Sequence, residues 1–258
     1  MTDSMNGYGK NYADGSDPAL LDRIGKRMRG QLSAEDHAVL KKWYDAKSYE
    51  DILNLNRAFL RGESEISPYH MGPIYAETTS SLPTLLRLHD LGILTTNSQP
   101  SKVTGPEYDQ CNCCPKWSWF WNKQRAFLSF MMPKDVGRVP MTIEKKFIEE
   151  LMFDSNFFVS LYNGVRVIDN FPKEWETHIS KKADSKAELE SDLEVTYRKI
   201  IKLDDTSAII PFATESGVLL KAQPLLVHVL ARSWEEEDLV GLVEQAAKRA
   251  GMQRTYAA

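Results

Sequence analysis

The segment Tyr69-His70-Met71-Gly72-Pro73-Ile74-Tyr75-Ala76-Glu77-Thr78-Thr79 places an imidazole, a carboxylate, phenols and hydroxyls close together. Thr95-Thr96-Asn97-Ser98-Gln99-Pro100 follows it after one helical and one β-prone stretch. A carboxylate can act as general acid or base, a hydroxyl as nucleophile or hydrogen-bond donor, and histidine or tyrosine as a proton relay. Glu77, Ser98, His70 and Tyr75 are therefore the candidate catalytic groups, and Thr78, Thr79, Asn97 and Gln99 the candidate substrate contacts. The competing assignment makes Glu77, Thr78 and Thr79 capping groups at a helix start and Asn97 and Ser98 ordinary turn residues.

For these residues to meet, the helix between them must pack antiparallel to the strand that follows it. Leu82, Leu85, Leu86, Leu88 and Leu91 recur at helical spacing and predict a helix over Ala76 to Leu91, with Pro83 in its first turn or at a kink. Gly92 stops that helix as a C-cap would, and Ile93 to Thr96 predict a strand that Pro100 ends. The helix start and the strand end then share one edge of the fold, which brings Glu77 and Ser98 to one pocket.

Around this unit the chain reads as α+β (or α/β), with N-terminal helices followed by a mixed, largely antiparallel sheet and packed helices. Residues 1–17 predict a flexible tail and 18–258 a single globular domain. Within 18–62 the apolar spacing predicts three helices, the second and third opened by Ser33 and Ser48 with first-turn acids behind them. Residues 100–122 read as an irregular insertion, and Arg125 to Met132 as a strand that pairs with Ile93 to Thr96. A helix is expected from Thr142, and a hairpin around Asn163-Gly164, the strongest turn signal in the chain. Residues 172–205 read as charged and helical in part, Ala208 to Ala213 and Leu219 to Leu230 as strands, and Trp234 to Ala250 as an amphipathic helix. His228, alternating with Leu226, Val227, Val229 and Leu230, reads as a hydrogen-bonded core histidine rather than a ligand.

The 258 residues suffice for a substantial core, and 42% hydrophobic with 26% charged residues excludes wholesale disorder. No run approaches the ~20 apolar residues of a bilayer span, and the polar start lacks the apolar core of a signal peptide, so the expected compartment is the cytoplasm, with no membrane partner. A net charge of -4 argues against a general DNA-coating protein. A local basic face remains on the first two helices, where Arg23, Lys26, Arg27, Arg29, Lys41 and Lys42 could meet tRNA phosphates or simply form a solvated surface. No GxGxxG follows a strand and no GxxxxGK[ST] occurs, so the familiar phosphate cradles are not expected.

The insertion holds all three cysteines, in Cys111-Asn112-Cys113-Cys114. That spacing is too short to wrap zinc alone, and neither His70, His89, His178 nor His228 stands at a spacing that completes a site, so no metal and no cofactor is expected. Trp117, Trp119, Phe120 and Trp121 follow. Such rings can stack a base or a planar side chain, bind a guanidinium, or form the insertion's own small core.

Glu77-Thr78, the leucine-spaced helix, Gly92-Ile93-Leu94-Thr95-Thr96, Ser98-Gln99-Pro100 and Gln124-Arg125-Ala126 together resemble an uncharacterised domain family of fungi and bacteria, over about a quarter of the chain, Pro68 to Met132. That family has glycine after Ser-Gln-Pro where this chain has Ser101. In overall style, a compact acidic protein without known cofactor motifs, the chain more loosely resembles the fungal arginine-containing cyclodipeptide synthases. That resemblance implies a transferase taking an arginyl group from its tRNA, joining it to a free or tRNA-linked amino acid and closing a diketopiperazine. An activated ester needs an attacking amine, a base and oxyanion donors, which Glu77, His70, Ser98 and Asn97 could supply. Glu107 and Asp109 are among the acids that could pair an arginine side chain. The alternative is a non-catalytic interaction or ligand-binding module that docks through its Trp-rich segment.

Overall fold

The computed structural model describes residues 33–71, 74, 76–110, 117–132, 143–162, 167–169, 178–183, 197–199, 224–236 and 238–253. The fold is α+β. Its helices are α1 (Ala34–Tyr44), α2 (Tyr49–Leu60), α3 (Leu82–Asp90), α4 (Ile143–Phe153) and α5 (Leu239–Arg249), with a 3-10 turn, Ala76–Ser81, leading into α3.

The first two helices begin where the sequence says they should. The Ser33 hydroxyl accepts from the Asp36 amide at 3.1 Å while the Asp36 carboxylate accepts from the Ser33 amide at 2.8 Å. Ser48 and Asp51 repeat this reciprocal box at 3.1 and 2.8 Å. α3 ends on Gly92, whose φ of +80° is open to glycine without strain. There the Gly92 amide donates to the His89 carbonyl and the Ile93 amide to that of Leu88, which closes the last turn and turns the chain straight into the next strand.

The main sheet contains β3 (Leu94–Gln99), β6 (Phe127–Met132), β7 (Phe157–Tyr162), β8 (Val167–Asp169) and β11 (Leu225–Ala231), in the order β3-β6-β11-β7-β8. Every neighbouring pair in it is antiparallel. β6 is buried at all six positions, so both faces of the sheet are covered there. Leu128, Phe130, Val159, Val227 and Val229 join one core with Phe147 and Leu151 of α4 and Val243 and Ala246 of α5. Phe130 stacks on Phe147 with ring centroids 5.9 Å apart. Phe127, Phe158 and Leu230 form a smaller cluster.

A second sheet runs β10 (Tyr197–Lys199), β9 (His178–Ala183), β5 (Trp117–Gln124), β4 (Lys102–Gln110). It grows out of the first, because the β3/β6 pair ends at Gln99 and Phe127 and resumes as β4/β5 at Lys102 and Gln124. The Gln124 side chain donates to the Pro100 carbonyl at 3.1 Å across that break. Arg125, on the other side of it, donates to the Arg232 carbonyl and lies 4.0 Å over the Trp234 ring. A two-stranded ribbon, β1 (Ile66–Ser67) with β2 (His70–Met71), joins α2 to the 3-10 turn.

Several expectations need correction. The 100–122 insertion is not irregular, since most of it is the ribbon β4/β5; the aromatic-rich run Trp117 to Trp121 suits a pleated strand better than a loop. The described parts of 172–205 are strands β9 and β10, not helix. The C-terminal helix starts at Leu239, capped by the Asp238 carboxylate on the Gly241 amide, and Trp234 belongs to the turn before it. The helix expected from Ala76 is a 3-10 turn followed by an α-helix with Pro83 in its first turn, where a missing amide proton costs nothing. Of the three N-terminal helices the second and third are α1 and α2. The first, the flexible tail, the Asn163-Gly164 turn and the 208–213 strand lie outside the described residues. Among the described residues no helix is long and apolar enough to cross a membrane.

α5 is locked to α3 by one ion pair. Glu244, 5% exposed, takes the Arg87 guanidinium on both oxygens at 2.8 and 3.0 Å. Its hydrogen bond to Arg87, with help from Lys248, holds the carboxyl at about 2, below the ordinary 4.5. The pair's contribution is therefore complete above pH 4.5 and lost as pH falls through about 2. The melting temperature should fall more steeply over that window in the native chain than in Glu244→Gln, as a pH series of thermal melts would show; equal slopes would contradict the assignment.

Candidate functional site

The start of the 3-10 turn and the end of β3 do share an edge of the fold. Between them, α2 and β2 lies a cavity of about 60 Å³. Its wall includes His70 from β2, Thr78 from the 3-10 turn, and Asn97 and Ser98 from β3. Four candidate residues from three separate segments thus meet. Asn97 is exposed at the rim, His70 and Ser98 are half-buried, and Thr78 is 8% exposed. His70 lies against Phe59, ring centroids 5.5 Å apart.

The other candidates fall elsewhere. Thr79 is exposed on the 3-10 turn, and Gln99 ends β3 without lining the cavity. Glu77 stands next to Thr78 in the chain, but its side chain, like Tyr75, lies outside the described residues, as does the side chain of Trp117. Trp119 is half-buried on β5. Arg23, Lys26, Arg27 and Arg29 also lie outside. Lys41 and Lys42 are exposed on α1, where Lys41 pairs with Asp45 one turn on. The Ser81 side chain makes no N-cap bond to α3, and Thr78 and Thr79 lie within the 3-10 turn before it.

Spacing arguments passed over the inner wall. Tyr69 donates its hydroxyl proton to the Asn56 side-chain oxygen. The Asn56 amide nitrogen lies 2.9 Å from the Thr95 carbonyl and 2.5 Å from Nε2 of His89, and Nδ1 of His89 lies 2.7 Å from the Leu85 carbonyl. Asn56 and His89 are both fully buried. A signal for them existed: Asn56 occupies a core position in the stripe Ile52, Leu53, Phe59, Leu60 of α2, and His89 follows Leu82, Leu85 and Leu86 at the same spacing in α3. A polar residue inside an apolar stripe marks a buried hydrogen bond. Arg57, beside them, is held by the Glu50 carboxylate at 2.8 Å and the His89 carbonyl at 2.9 Å.

Burial also governs the titration of these groups. It pushes the Tyr69 phenol well above its ordinary range, and it brings His89 down to about 4, with the nearby Arg57 charge acting in the same direction. His228 is likewise brought down to about 4 by burial. As expected, it is a hydrogen-bonded core histidine: Nδ1 lies 2.6 Å from the Ser129 hydroxyl on the neighbouring strand. Its Nε2 has no hydrogen-bond partner. Among the described residues no cluster of histidine, cysteine or carboxylate side chains could hold a metal ion.

Comparison with models of known protein families and with curated protein sequences finds no match.

Both buried histidines stay neutral in the fold down to about pH 4 but protonate near 6.5 once unfolded. Stability should therefore fall as pH drops from 6.5 to 4, by about 3 kcal/mol for each ring, and no further from these groups below 4. Denaturant titrations of the native chain and of His228→Gln between pH 7 and 4 would check this: the variant should lose about half of the slope, and an unchanged slope would contradict the burial argument.

Proposed function

We propose that this chain is a small-molecule biosynthetic enzyme with its active centre at the cavity between β2, the 3-10 turn and β3. Its sharpest form is tRNA-dependent aminoacyl transfer that yields an arginine-containing cyclodipeptide. The observation that supports it is the convergence of His70, Thr78, Asn97 and Ser98 on one cavity from three separate segments. A merely structural set of caps and turns has no reason to meet around an opening.

In this reading the amine of one aminoacyl group attacks the ester carbonyl of another. A C–N bond forms, the ester C–O bond to the tRNA ribose breaks, and a second such step closes the ring. His70 or Glu77 takes the amine proton, and the Asn97 amide and Ser98 hydroxyl donate to the oxyanion. The cavity is small, so it holds one end of the aminoacyl group while the tRNA stays outside. Lys42 and the basic residues preceding α1 would meet the phosphates. The cytoplasm, where aminoacyl-tRNA is found, is the compartment this reading requires.

Bacteria expressing the native chain should accumulate an arginine-containing diketopiperazine detectable by mass spectrometry. Glu77→Gln and Ser98→Ala should reduce it at least about tenfold while melting temperatures hardly change. Unfolding of either variant would instead support a structural role. Charge reversal at Arg27 and Arg29 should abolish the product, and unaffected turnover would rule out that face as the tRNA site.

A second reading, a non-catalytic docking module, draws on the position of Trp117, Trp119 and Trp121 at alternate places along β5. It predicts a partner lost on Trp119→Ala and no new metabolite.

A further inference from the structure

We infer that the side of the cavity built by Asn56, Tyr69 and Thr96 accepts hydrogen bonds and offers none, so that the group held there is a hydrogen-bond donor, a primary amine or its ammonium form. The inference rests on the proposed function only in taking this cavity as the place where substrate binds.

Two backbone carbonyls, which can only accept, set the direction of every proton in the Asn56, His89 and Tyr69 network. The Thr95 carbonyl is 2.9 Å from the Asn56 side chain, so the amide must turn its nitrogen toward it. An amide nitrogen has no lone pair to give, so its other proton goes to Nε2 of His89 at 2.5 Å, which is therefore the bare ring nitrogen. His89, neutral above about pH 4, then carries its proton on Nδ1 and donates it to the second carbonyl, that of Leu85, at 2.7 Å. The Asn56 oxygen is left to accept, and it accepts from Tyr69. Tyr69 has one hydroxyl proton and it is committed inward, so any further hydrogen bond to its oxygen is one the oxygen accepts.

Thr96, also in the lining, repeats the arrangement. Its hydroxyl donates to the Ser129 carbonyl at 3.1 Å, leaving only lone pairs for a ligand. Tyr69 and Thr96 both line the cavity, and among its described lining residues there is no lysine or arginine to hold an anion. A space of about 60 Å³ admits an amino head but no larger planar cation together with its stem. The rest of the lining differs: the exposed Asn97 amide, the Ser98, Thr78 and Thr95 hydroxyls and the His70 ring can donate. An aminoacyl group would then enter amine first, with its carbonyl left at the rim where the reaction needs donors.

The test is an NMR titration of the full-length protein at pH 7 and constant ionic strength, with methylammonium chloride and separately with sodium acetate. Methylammonium should shift the Asn56 side-chain NH₂ and the Thr96 amide signals saturably, acetate should leave these two unmoved, and Tyr69→Phe should weaken the methylammonium effect about tenfold. Saturation by acetate, or none by methylammonium, would overturn the inference. The ¹⁵N shifts of His89 in the native chain check the same chain of protons without any variant: a protonated Nδ1 is expected, and a protonated Nε2 would break it. Methylammonium binding by a chain that makes no cyclodipeptide would remove the proposed reaction and leave this polarity standing. Product formation together with acetate binding would do the reverse.

Discussion

One buried amide organises this edge of the molecule. Asn56 reaches from α2 to the Thr95 carbonyl on β3, to His89 on α3 and to Tyr69 beside β2. Among the described residues β3 is an edge strand of the main sheet, and an edge strand needs partners for its outward backbone groups. A side chain that supplies one from a packed helix fixes the distance between α2 and the sheet and leaves a gap lined by hydroxyls. Had position 56 been leucine, in keeping with its neighbours, the same stripe would pack more simply and the Thr95 carbonyl would lose its donor. The cavity follows from that choice.

The two buried histidines show how position decides what one side chain can do. His89 has both ring nitrogens matched, one to a carbonyl and one to an amide, so its tautomer is fixed and it orients a network. His228 has one nitrogen on Ser129 and the other unmatched, in the centre of a sheet whose neighbouring rows are apolar. The first stabilises the site that it faces. The second is a local weakness that burial imposes, and it contributes to acid sensitivity rather than to binding.

Much of the frame was legible because it depends on short-range chemistry. Ser33 with Asp36, Ser48 with Asp51, and Gly92 after α3 mark their helix ends by backbone hydrogen bonds that adjacent residues satisfy. The pairing of β3 with β6 is readable from two β-prone runs, and the short helix-to-strand connection brings the 3-10 turn to the end of β3. The pocket expected for Glu77 and Ser98 is lined by Thr78 and Ser98, while the Glu77 side chain lies outside the described residues. The 100–122 segment was misread because its length suggested a loop, while its pairing with β9, some 60 residues on, is a long-range contact that spacing does not reveal. The inner wall was missed for another reason: Asn56 and His89 sit where apolar residues were expected, and each matters only through the other, 33 residues apart.

The central claim is that Asn56, by donating two protons and accepting one, builds and polarises the cavity. Asn56→Asp tests it most directly, because a carboxylate keeps the shape and offers no proton. Thr95 and His89 would then face an acceptor, so the account predicts a melting temperature at least about 10 °C lower and a His89 ring that titrates above its native value of about 4 to supply the missing proton. A variant that melts with the native chain and leaves His89 unmoved would contradict it.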